Sequence, residues 1–104
     1  MDVLKLMQQA QEVQGRMQQM HEALGARRVT GAAGGGLVRV DVDGKGMVKA
    51  VSLDPSVVKA EDVEMLEDLI VVAVAEAQKK AAELAAGEME KLTGGMQLPF
   101  KLPF

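Results

Sequence analysis

A chain of 104 residues with no Cys and a net charge of −3 at pH 7 is long enough for one domain with a modest core and too short for two. The lack of Cys excludes disulfides, thiolate nucleophiles and thiolate metal sites. Phe100 and Phe104 are the only Phe, Tyr or Trp, so a stacking platform for single-stranded bases inside the domain is excluded.

The N-terminal "MDVLKLMQQAQ" turns polar too soon for a signal peptide, and no apolar run approaches the roughly 18 residues that span a bilayer. A cytoplasmic protein without a membrane partner is expected. Residues 1–25 read as the first helix, because Val3, Leu6, Ala10, Val13, Met17, Met20 and Leu24 recur at steps of three and four. At 1.5 Å per residue this helix spans about 35 Å, more than a small sheet covers, so part of it meets another helix or projects. Its other faces are rich in Gln. Gly15, on the polar side, costs about 1 kcal/mol against Ala, and Gly25 is the expected stop.

Residues 27–53 predict a three-stranded antiparallel sheet. "RRVTGAA" (27–33) is the weakest strand, whereas "LVRVDVD" (37–43) alternates cleanly and puts Val38, Val40 and Val42 on one face. "DGKG" (43–46) signals a hairpin in which Gly44 and Gly46 are free to take positive φ. In "MVKAVSL" (47–53), Val48 and Val51 have opposite parity, which a bulge near Lys49 or Ala50 reconciles. Asp54-Pro55-Ser56 closes the sheet.

Residues 55–92 contain a second long helix starting near Glu61, with Glu61, Asp62 and Glu64 in its first turn, where the macrodipole favours negative charge. "LIVVAVA" (69–75) is apolar on every side and needs a surface beyond its own sheet. Residues 93–104, with "MQLPFKLPF" after Thr93-Gly94-Gly95, are expected to be a tail, mobile or docked on a partner. The elements give an α+β fold, α-β-β-β-α, in one domain. Two helices too long for a monomer predict a symmetric dimer.

"TGAAGGGLVRV" (30–40) raises the question of a phosphate loop. A Walker loop needs Lys and a hydroxyl after its last glycine, yet Leu37 and Val38 follow Gly36. A dinucleotide fingerprint runs from strand into helix, whereas these glycines run into a strand. A permissive turn is the simpler reading. His21 has no second His or Cys for a metal site, Ser52 and Ser56 lack a nucleophile elbow, and the carboxylates from Glu61 to Asp68 lack calcium-loop spacing. The eight Met are adaptable core and interface filler. No enzyme, cofactor, metal or small-molecule substrate is expected.

Overall acidity opposes a polyanion partner, but the charge is segregated: +1 over residues 1–30, +1 over 31–60, −7 over 61–90 and +2 over 91–104. Lys5 and Arg16 are eleven positions apart, within 20° of three full helical turns, and so share one stripe about 16 Å long. Arg27 and Arg28 follow the helix, and Lys79 and Lys80 lie midway along the second. Such residues could hold phosphate oxygens or form a solvated face interrupted by Glu12 and Glu22.

The sequence resembles the YbaB/EbfC family of bacterial nucleoid-associated DNA-binding proteins. "LMQQAQEVQGRMQ" (6–18), "VTGAAGGGLVRVDVDGKG" (29–46), "LDPSVV" (53–58), "EMLEDLI" (64–70) and "LTGGMQLP" (92–99) with the terminal "KLPF" carry the likeness in order. The resemblance implies a non-enzymatic, cofactor-free homodimer with projecting helical arms. It implies binding of double-stranded DNA in the nucleoid, nucleoid organisation and an influence on transcription. On that reading Lys5, Arg16, Arg27 and Arg28 contact phosphates, with Lys79 and Lys80 as further contacts. Gln8 and Gln19 stand where the family commonly has Lys, which implies weak, salt-sensitive binding with little base readout. The competing reading is a protein-protein interaction adaptor acting through its helices and Pro-Phe tail.

Overall fold

A computed structural model describes residues 2–93. The chain runs through helix α1 (Val3–Ala26), strands β1 (Arg28–Ala33), β2 (Val38–Asp43) and β3 (Val48–Leu53), two single 3-10 turns (Pro55–Val57 and Ala60–Asp62) and helix α2 (Val63–Thr93). This is the α-β-β-β-α order expected from the sequence. The expected tail, from residue 94 onwards, lies outside the described residues.

Asp2 caps α1 by accepting a hydrogen bond from the Leu4 N–H at 3.1 Å, which satisfies a donor that the first helical turn leaves orphaned. The helix passes Gly25, its expected stop, and ends at Ala26. Arg27 is extended, and its N–H donates to the Leu24 carbonyl at 3.1 Å. The second long helix begins two residues later than expected: Asp54 accepts from the Ser56 N–H at 2.9 Å and caps a first 3-10 turn, and a second, Ala60–Asp62, occupies the expected helix start. Glu61 and Asp62 lie in the second of these turns, and Glu64 in the first turn of α2.

The sheet has the order β1-β2-β3, antiparallel throughout. Gly34, Gly35 and Gly36 take φ of 63°, 70° and 91°, a run of left-handed backbone that L side chains disfavour. The glycines therefore form the turn between β1 and β2. In the next turn only Gly46 has positive φ. Gly44 differs from expectation: its N–H donates to the Leu24 carbonyl at 2.8 Å, and a Cβ there would lie 2.6 Å from that oxygen. Close approach of α1, not backbone hand, requires this glycine. On β3, Val48 faces Val42 and Ala50 faces Asp41, leaving Lys49 as the extra residue. The bulge brings Val48 and Val51 onto one face, as the parity conflict requires.

Asp43 organises the turn beneath α1. Its side chain is almost fully buried and accepts hydrogen bonds from the Lys45 N–H at 2.9 Å and the Met47 N–H at 3.0 Å. The Met47 N–H bond, against a burial effect that raises it, holds the carboxyl below the ordinary carboxylate range, with the Lys45 N–H and the Lys49 and Lys45 charges assisting. A depressed carboxylate pKa stabilises the fold fully above the unfolded value, 3.8. That contribution is lost as pH falls through the lower folded value. Thermal melts between pH 6 and pH 2 are expected to show an acid-side loss of stability that Asp43→Asn shrinks. An unchanged slope would assign the loss to other carboxylates.

The core is one sheet face under one helix. Val38, Val40 and Val42 are fully buried in the central strand, and Ala73, Ala77 and Ala81 of α2 pack above them at steps of four. Gly31, opposite Val40 on β1, lets α2 come down to the sheet: a Cβ there would collide with the Ala73 carbonyl oxygen and the Ala77 nitrogen. The helix crosses β1 and β2 and leaves β3 largely uncovered. Val51 is 48% exposed although Val40, its neighbour on the same face, is 0% exposed. On α2, Val71 at 66% and Val72 at 55% are exposed as well.

Candidate nucleic-acid interface

The interface begins where α1 leaves the body of the fold. Leu24 is the only buried residue of α1, and Met20 and Leu24 line a cleft together with Ala85 and Met89 of α2. Upstream of Met20, every residue of α1 is exposed. The described residues extend 70 Å in their longest dimension, against about 46 Å for a 31-residue helix such as α2. α1 therefore projects past the end of α2 as an arm.

Lys5 and Arg16 lie on this arm, exposed, with no side-chain ion pair or hydrogen bond among the described residues. Arg27, eleven residues beyond Arg16, continues the interval at the helix cap and pairs with Glu88 at 3.8 Å. Arg28 opens β1 and donates from Nη1 to the Gly25 and Arg27 carbonyls at 3.2 and 3.1 Å, so its guanidinium folds back over the helix end. Lys80 donates to the Thr30 carbonyl at 3.1 Å and pairs with Glu76 at 3.1 Å. Lys79 is exposed and unpaired among the described residues. Arg27, Arg28 and Lys80 are thus gathered around the base of the arm, and Lys5 and Arg16 are carried along it.

The acidic block lies at the other end of the molecule. Leu69 of α2 packs near Gly34, at the end of the sheet remote from Gly44 and Leu24. Strand β2 separates these two ends by about 17 Å, twice the roughly 8 Å screening length of physiological salt. Glu61, Asp62, Glu64, Glu67 and Asp68 therefore do little to cancel the field of the arm. Nearer carboxylates interfere more: Glu88 and Glu76 are bound to Arg27 and Lys80, and Glu12 and Glu22 lie exposed on α1 itself. The Glu76–Lys80 pair has i,i+4 spacing readable in sequence. Arg27 and Glu88 are 61 positions apart, and no local signal joins them.

Among the described residues no group of three or more His, Asp or Glu is placed to hold a metal ion, and no helix is long and apolar enough to cross a membrane. The glycine turn carries no phosphate-loop Lys, and its pocket is lined by Gly36, Leu37, Arg39, Ser52, Leu53, Asp54 and Pro55. Arg39 is engaged there through its Nε to the Gly36 carbonyl at 3.3 Å.

Comparison with known proteins places the chain among relatives. The YbaB/EbfC DNA-binding family matches residues 1–96. The chain belongs to that family. Among its YbaB/EbfC relatives, a nucleoid-associated protein of Gemmatimonas aurantiaca is 59% identical over 104 residues, covering 100% of both chains. One of Desulfotalea psychrophila is 42% identical over 99 residues, covering 95% of this chain and 93% of the relative. One of Bradyrhizobium diazoefficiens is 48% identical over 98 residues, covering 94% and 92%. The crystal structure of an uncharacterised protein from Helicobacter pylori superposes with a TM-score of 0.81 over 90% of this chain and 99% of that one. At 23% identity it supports the fold alone.

Proposed function

We propose that this YbaB/EbfC chain is a non-enzymatic, nucleoid-associated protein that binds duplex DNA as a homodimer, chiefly through phosphates, and so helps to organise the nucleoid and influences transcription. The observation that carries the reading is the row Lys5, Arg16, Arg27 at intervals of eleven along the projecting arm. Lys5 to Arg27 covers about 33 Å of helix, close to the roughly 34 Å of one duplex turn. With α1 lying along the duplex axis, the two end cations meet the backbone one turn apart and Arg16 meets the strand between them. Side chains at such spacing neutralise phosphates and read few bases.

The homodimer is supported by the uncovered apolar surface of Val48, Val51, Val71 and Val72. A second copy laid on it removes these side chains from water, at about 25 cal/mol for each Å² of apolar area. Light scattering at micromolar concentration is expected to give twice the chain mass, and Val51→Lys with Val71→Lys to give the single mass. A wild-type monomer would remove the dimer from the reading.

Titration of duplex at 50 and 200 mM salt tests DNA binding itself. Affinity is expected to fall steeply, with a log–log slope of about −0.9 for each phosphate neutralised. No shift of duplex at 50 mM salt would overturn the reading in favour of a protein adaptor.

A further inference from the structure

We infer that the bare seam of α1 is a self-recognition surface, on which the arm of a second copy lies antiparallel as a short two-stranded coiled coil. Val3 is 65% exposed, Leu6 49%, Val13 43% and Met17 42%, with Ala10 exposed among them. Apart from Leu4 and Met7 near the tip, the rest of the arm as far as Gln19 is Gln, Gly or charged. Steps of three and four thus leave a stripe of two apolar residues per heptad. A stripe that narrow suits one facing helix, whereas a helix laid on a globular core presents three or four. Ala10 supplies the socket: it lies in a hollow lined by Gln9, Glu12, Val13, Gln14 and Arg16, the kind of hole that a side chain of a facing helix enters.

The direction follows from the body of the fold. The face that bears the seam buries Leu24 where α1 meets the body, so a helix lying on the seam has to stop short of that point. A parallel arm would carry its own residues beyond Met20 into space that the body fills. An antiparallel arm stops in time, because α1 begins at Val3 and Val3 of one copy then lies opposite Met20 of the other. The same register sets Leu6 against Met17 and Ala10 against Val13, so the smallest side chain of the seam receives a branched one. The flanks do not oppose the contact: Gln9 of one copy lies near Arg16 of the other and Met7 near Gln14, which brings no like charges together. Lys5 and Arg16 stand about a third of a turn from the seam, so paired arms keep their cations in water. Six residues from each copy make a weak contact, one that forms where copies are crowded and adds nothing to the mass at micromolar concentration. The inference stands independently of DNA binding and of the valine surface.

The chain has no Cys, so any disulfide belongs to the positions where one is introduced. Leu6→Cys chains and Met17→Cys chains are to be mixed at millimolar concentration and oxidised with diamide. Both also carry Val51→Lys and Val71→Lys, which removes the valine surface from the result. The mixed disulfide is expected to form about tenfold faster than either like disulfide, because two Leu6 positions, or two Met17 positions, lie about 16 Å apart along antiparallel arms, beyond the roughly 7 Å that a disulfide bridges. Val13→Glu on both chains is expected to abolish that preference and leave the melting temperature unchanged. Equal rates for all three disulfides, a fastest disulfide between two Leu6→Cys chains, or a preference that survives Val13→Glu would each overturn the inference. None of these results would bear on duplex binding or on the mass of the wild-type chain, which are measured separately.

Discussion

Duplex affinity is expected to fall by roughly a hundredfold when Lys5 and Arg16 are both reversed to Glu, because two charge-assisted contacts of about 1.5 kcal/mol each are lost and replaced by repulsion. The salt dependence should flatten at the same time, by roughly 0.9 in log–log slope for each contact removed. Both side chains are exposed and unpaired among the described residues, so the melting temperature and the mass in solution are expected to stay unchanged. Arg27→Ala should weaken binding less than either Lys5→Ala or Arg16→Ala, since a phosphate must first displace Glu88 from Arg27. Gel shifts of the three single variants at one salt concentration would check that ranking. Unchanged binding by the double reversal would take α1 out of the interface.

Gly31→Ala is expected to be the most damaging single-methyl change in the fold. The added Cβ lands on the Ala73 carbonyl oxygen and the backbone nitrogen of Ala77. These belong to the helix rather than to a flexible side chain, so α2 as a whole has to lift. Overpacking of this kind costs about 1–3 kcal/mol or more, or roughly 10 °C in melting temperature for a domain of this size. Gly35→Ala is the matched control, with φ of 70° and open space around it. Its cost is the left-handed backbone alone, about 1 kcal/mol. Melts that ranked Gly35→Ala above Gly31→Ala would show that α2 does not depend on this contact.

Those two glycines also mark what the sequence discloses and what it withholds. The run Gly34 to Gly36 reads correctly as a turn because the demand is local: a strand must reverse, and only positive φ does it cheaply. The alternation of Val38, Val40 and Val42 gives the core face, and the parity conflict of Val48 with Val51 gives the bulge, again from neighbours in sequence. Gly31 looks like part of the same turn signal, yet its reason is a helix that arrives more than forty residues later. Gly44 is similar, required by the Leu24 carbonyl rather than by its own dihedral angles. Of the basic residues, Lys5 and Arg16 are legible as a stripe because helical spacing places them. The engagement of Arg27 by Glu88, and of Lys80 by the Thr30 carbonyl, depends on how α2 lies across the sheet.

Lys80 has a consequence for assembly. A sheet edge is a row of unpaired donors and acceptors on which another strand can grow. β1 is one of the two edges, and the Lys80 ammonium occupies the outward carbonyl of Thr30 with a charge that an incoming strand would have to expel. Among the described hydrogen bonds, none places a side-chain cation on a carbonyl of β3, the other edge. A molecule with one usable edge can be extended by one neighbour, edge against edge, and then offers nothing further. Such growth terminates at a closed pair rather than running on into a fibre, a safeguard for a chain that leaves several valines uncovered.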